Sequence, residues 1–106
     1  MVAQSEKAQP QVITSPDHKL QTLHHRMSAN RFGHRVVEGA VRNISSDASI
    51  SAEIKAEYYG ADGKLIGTEV DTVRRLGPGK TGAFEVMYSG PKRWDINYYT
   101  LSLQQV

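Results

Sequence analysis

The side chains best suited to chemistry lie early in the chain. His18, His24, His25 and His34 are its four histidines, with Met27 among them. Imidazole with thioether suits copper, and imidazole alone suits zinc or nickel. Adjacent residues on a strand point to opposite faces, so His24 and His25 cannot both join one compact site there. His18 can share a face with His24, and His25 with Met27. A copper or zinc site using His18, His24, His25 and Met27 is therefore one expectation. The other is that these histidines are solvated side chains on an edge strand.

Aromatic residues form a second group: Tyr58, Tyr59, Tyr88, Trp94, Tyr98 and Tyr99, with Lys92 and Arg93 beside Trp94. Exposed rings next to cations can stack on sugars, bases or peptide groups. In each adjacent tyrosine pair one ring faces the core and the other faces out. Tyr59, Trp94, Tyr99 and Arg93 are the expected members of an outward patch for protein or glycan contact.

Other candidates have structural readings. Glu53 with Glu57 and Glu69 with Asp71 are carboxylate pairs. General acid–base catalysis needs two carboxyls in different environments, and these occupy solvent-facing positions. Gly79-Lys80-Thr81 matches the end of a phosphate-binding loop. The required earlier glycine is Arg74 here, and a strand follows where a helix is needed. Asn43-Ile44-Ser45 is a glycosylation sequon, a tripeptide common by chance. No Gly-x-Ser-x-Gly elbow occurs. The chain is expected to be no enzyme and to carry no cofactor.

The elements that must position these residues are mostly extended. Residues 50–58 alternate cleanly, with Ile50, Ala52, Ile54, Ala56 and Tyr58 on one face, the pattern of a half-buried antiparallel strand. Gly60-Ala61-Asp62-Gly63 is a hairpin turn. Residues 64–76 continue extended, with a kink or split expected near Asp71, and Gly77-Pro78-Gly79 breaks the run. Residues 34–44, 81–88 and 95–106 read as further strands, with a turn cluster at Ser45-Ser46-Asp47. Residues 15–29 fit two patterns. Leu20, Leu23 and Met27 have helical spacing after Ser15-Pro16-Asp17, but an all-β core needs a partner along its edge, which favours a first strand. Short strands separated by Gly and Pro predict an all-β sandwich of two antiparallel sheets with about seven strands.

Composition bounds the function. At 106 residues, 39% of them hydrophobic, the chain holds one core. It has no Cys, which excludes disulfides and thiolate chemistry. No apolar run approaches the roughly 20 residues of a membrane-spanning helix. The formal charge is +2. Residues 1–35 carry five basic and two acidic side chains, and residues 36–106 carry eight and nine. That weak basic bias does not predict nucleic-acid binding. Residues 1–17 lack the apolar segment of a secretory signal and read as a disordered lead-in.

Val37-Glu38-Gly39-Ala40-Val41-Arg42-Asn43, Tyr59-Gly60-Ala61-Asp62-Gly63-Lys64 and Leu76-Gly77-Pro78-Gly79 with Phe84 resemble the FxLYD domain family across residues 18–106. At the position of the naming motif, Ala56-Glu57-Tyr58-Tyr59-Gly60, only Tyr59 matches. The resemblance implies an immunoglobulin-like sandwich of the kind found in bacterial and archaeal proteins outside the cytoplasm, with no catalytic role to carry over. The expected function is a non-enzymatic accessory or interaction module. Its partner would be a protein or cell-envelope component, and it would be attached through a signal or anchor outside this chain.

Overall fold

The structure, a computed structural model, describes residues 9–46 and 48–106. Among the described residues six strands follow one another: β1 (Leu20–Ala29), β2 (Arg35–Asn43), β3 (Ile50–Gly60), β4 (Leu65–Leu76), β5 (Thr81–Tyr88) and β6 (Ile96–Gln105). They form two antiparallel sheets with strand orders β1-β2-β5 and β4-β3-β6. The chain changes sheet after β2, β4 and β5, which interlocks the sheets as in an immunoglobulin-like sandwich. An isolated bridge between Thr14 and Gln21 adds the beginning of a seventh strand.

The core lies between the sheets. Ile50, Ala52, Ile54, Ala56 and Tyr58 of β3 are all buried, as their alternation requires. They meet Val37 and Val41 of β2, Phe84 and Val86 of β5, and Leu101 and Leu103 of β6. The Tyr58 hydroxyl crosses this core and donates to the Val86 carbonyl at 2.7 Å. Burial raises its pKa above the ordinary tyrosine value, and the nearby Glu69 carboxylate adds to the shift.

β1 is a strand, and a bulge between Thr22 and His24 resolves its ambiguous pattern. Leu20 and Thr22 point inward before the bulge, and His25 and the partly buried Met27 after it. Leu23 is 40% exposed, so the apparent helical stripe was never one face. The kink expected near Asp71 is absent. Pairing with β3 runs unbroken from Gly67 to Val73, and the irregularities fall at either end of that run, near Ile66 and near Arg75, whose φ is 57°. Asp71 closes one seam of the sandwich, because its Oδ2 accepts the Glu85 amide of β5 at 2.9 Å. The β4–β5 turn has Pro78 followed by Gly79 at φ 74°, a conformation that glycine adopts without strain.

Of the expected lead-in, residues 1–8 lie outside the described residues. Residues 9–15 do not trail away from the domain but run as a strap across the opposite seam, between the outer edges of β1 and β6. Gln9 pairs with both backbone groups of Leu101, accepting its N–H at 2.5 Å and donating to its carbonyl at 3.1 Å. Gln11 accepts the His25 amide at 3.0 Å, and Ile13 accepts that of Thr22 at 2.9 Å. A tight turn at residues 15–19 then leads into β1. There the Ser15 hydroxyl donates to Asp17 at 2.6 Å and, with the Lys19 amide, holds that carboxyl below its ordinary pKa.

Candidate functional site

The structure disperses the residues expected to hold a metal. His18 sits in the turn before β1 with φ 59°. His24 faces outward and lines a shallow cleft of about 510 Å³ with Arg26, Glu38, Asp71 and Glu85. His25 faces inward and is 3% exposed. Its Nε2 lies 2.9 Å from the Pro10 carbonyl and its Nδ1 2.6 Å from the Tyr99 hydroxyl. A carbonyl can only accept, so in the neutral ring Nε2 carries the proton and Nδ1 accepts from Tyr99. Both ring nitrogens are thereby engaged. Met27 shares the inward side of β1 with His25 and packs against the core. Among the described residues, no group of three or more His, Asp or Glu side chains is placed to hold a metal ion.

Sequence reasoning also misplaced one tyrosine. Pairing between β3 and β6 shifts between Tyr59 and Gly60, which skips Asn97. That shift leaves Ile96, Tyr99, Leu101 and Leu103 on the core side. Tyr99 therefore does not join an outward patch. It stands edge-on to His25 with ring centres 5.5 Å apart, and burial pushes its hydroxyl up to about 12. Tyr98 is the outward member, stacked on Tyr59 at 5.1 Å with the rings 12° from parallel.

Trp94 is exposed with the half-buried Arg93 beside it, and two further residues join them. Trp94 lies in a short 3-10 turn, Arg93–Asp95, ahead of β6 and is 61% exposed. Phe32 lies in the β1–β2 loop and is 56% exposed. An Arg93 Nε–H bond to the Phe32 carbonyl at 3.0 Å fastens the two loops together, and an Nη1–H bond to the Gly90 carbonyl of its own loop at 3.1 Å fixes the guanidinium. The indole rests on Gly33, where a Cβ would stand only 2.1 Å from the ring. Gly33 has φ 75°, and only glycine meets both demands cheaply. A guanidinium covers each ring, Arg31 over Phe32 at 5.0 Å and Arg93 over Trp94 at 4.9 Å. Asn30 holds the loop by accepting the amides of Phe32 and His34 at its side-chain oxygen.

Strand direction brings the β3–β4 turn to the same end of the sandwich. Arg31, Arg35, Lys64, Lys92 and Arg93 gather there against the carboxylates of Asp62 and Asp95. This pole has a larger positive excess than the +2 of the whole chain. The basic residues come from distant parts of the sequence, which is why a split at residue 35 understated their clustering. The turn signals Asn30 and Gly33 mark the Phe32 loop, but nothing local shows that it meets Trp94.

The remaining candidates are structural. Glu53 accepts a hydrogen bond from Gln104 at 2.6 Å, and Asp71 holds the β4–β5 seam. Asn43 of the sequon is fully buried. Its Nδ2 donates to Ala48 and Leu76, so the folded chain offers no acceptor amide there.

The fold and the pole together define an immunoglobulin-like β-sandwich with an aromatic and cationic tip. The chain is 32% identical over 83 residues to the uncharacterized protein MJ0360 of Methanocaldococcus jannaschii, covering 78% of this chain and 59% of that protein. It thus spans under two thirds of that relative's length. The crystal structure of Campylobacter jejuni cj0090 is similar with a TM-score of 0.56 at 15% identity, covering 80% of this chain and 85% of that one. That likeness extends to the fold alone. No family model matches the chain, and no helix among the described residues is long and apolar enough to cross a membrane.

Proposed function

We propose that the chain is a non-enzymatic interaction module of the FxLYD type, displayed outside the cytoplasm and docking through the pole of the Phe32 and Trp94 loops. The carrying observation is the joined pair of exposed aromatic rings, each covered by an arginine, with their loops linked by the hydrogen bond from the Arg93 side chain to the Phe32 carbonyl. Holding large apolar side chains in water opposes the hydrophobic effect and contributes little to the core. A rigid presentation of this kind lowers the entropy lost on binding. The expected patch of Tyr59, Trp94, Tyr99 and Arg93 is thus redrawn around Trp94 and Arg93, with Phe32 and Arg31 replacing Tyr59, which stacks on Tyr98, and Tyr99, which packs against the core.

The test is amide chemical-shift mapping with a cell-envelope extract. Shifts should concentrate at residues 30–34 and 90–95 and disappear in Phe32→Ala/Trp94→Ala. Shifts centred elsewhere, or unchanged in the double variant, overturn the reading.

A further inference from the structure

We infer that the pole docks on a bilayer surface rich in anionic phospholipid headgroups, an inference that rests on the docking role proposed above. Phe32 and Trp94 stand on loops at one end of the sandwich, and both are more than half exposed. The Trp94 indole suits the headgroup boundary, where its ring meets acyl chains and its N–H edge stays hydrated, and the Phe32 ring adds apolar area to bury there. The guanidiniums of Arg31 and Arg93 lie on the rings themselves, at distances of 5.0 and 4.9 Å. When the rings enter the boundary, these cations therefore reach the phosphates at the same depth. The excess of lysine and arginine at this pole supplies the complementary charge, worth about a fivefold gain in partition for each cation near an anionic surface. The fastening of the two loops lets both rings enter together without prior rearrangement.

Trp94 is the only tryptophan, so its emission reports on the proposed contact alone. The experiment uses the full chain with vesicles of phosphatidylcholine, pure or mixed with phosphatidylglycerol, and measures fluorescence and co-sedimentation. On the mixed vesicles Trp94 emission should move to the blue and be quenched by brominated acyl chains, and binding should weaken with salt. Arg31→Gln/Lys92→Gln should lower partition on the order of 25-fold. Phe32→Ala/Trp94→Ala should reduce co-sedimentation at least tenfold, about the effect of losing one ring's burial. An unchanged urea midpoint in both double variants keeps folding out of the comparison.

Failure to bind the mixed vesicles at low salt overturns the inference. So does binding that leaves Trp94 emission unmoved or survives loss of both rings. If vesicles fail while delipidated envelope protein still shifts residues 30–34 and 90–95, the docking pole stands with a protein partner. If neither has an effect, both readings fall.

Discussion

Replacing Asn43 by alanine should be among the most damaging single changes in this domain. Asn43 ends β2, is fully buried, and uses every polar group it has. Its amide donates to the Leu76 carbonyl at 2.8 Å, joining the two sheets, and to the Ala48 carbonyl at 2.8 Å. Its side-chain oxygen accepts the Ser45 amide at 2.9 Å and the Ser45 hydroxyl at 2.7 Å. The Leu76 carbonyl is buried, so leaving it unpaired costs about 1–3 kcal/mol. The Ala48 and Ser45 groups are nearer solvent, and each loss there costs about 0.5–1 kcal/mol. With the void left by the amide, Asn43→Ala should destabilise by about 4 kcal/mol, against a total of about 5–15 kcal/mol for such domains. Urea unfolding followed by circular dichroism measures this as a lower midpoint at constant slope. Asn43→Asp keeps the shape but turns a carboxylate oxygen toward two carbonyl oxygens. Its folded-state pKa is then raised, so this variant should regain stability as pH falls and the carboxyl becomes a donor. A cost below about 1 kcal/mol for the alanine variant, or native stability for the aspartate variant at neutral pH, refutes the reasoning.

Three further outcomes follow from other sites. Tyr99 is raised from 10.0 to about 12 by burial. The folded state therefore holds this proton longer than the unfolded chain does, so its contribution is complete below pH 10 and is lost as pH rises through about 12. Urea midpoints across that range should fall less steeply in Tyr99→Phe. Tyr58→Phe removes the donor to the buried Val86 carbonyl without changing core volume and should cost about 1–2 kcal/mol in the same assay. Gly33→Ala should cost about 1–2 kcal/mol for its left-handed backbone and shift Trp94 emission, because the indole must leave its seat. Unchanged emission shows that the ring does not rest there.

The fold was legible where one face of a strand is buried without interruption. β3 is the clearest case, since each inward residue from Ile50 to Tyr58 follows the period of two. Legibility failed at bulges, because one extra residue reverses every side chain beyond it. The bulge near Leu23 made a strand imitate a helix, and the slip at Asn97 exchanged the roles of Tyr98 and Tyr99. Half of the proposed site was visible as Trp94 beside Lys92 and Arg93. The other half depends on a contact between Arg93 and Phe32, 61 residues apart, and no local pattern encodes it. Asn43 looked like a modification signal because its tripeptide says nothing about burial.

The strap also bears on how this domain avoids joining itself. β1 and β6 are terminal strands of their sheets, and such strands expose backbone groups that a second chain can extend into a continuous ladder. Gln9 occupies both backbone groups of Leu101 on β6, while Gln11 and Ile13 occupy amides on β1. Two side-chain amides and a short stretch of main chain at Ile13 and Thr14 thus stand in for a neighbouring strand along these margins. Removing residues 9–13 would bare both margins and strip Ile13 from the core it packs against, so self-association through the freed edges would accompany a loss of stability.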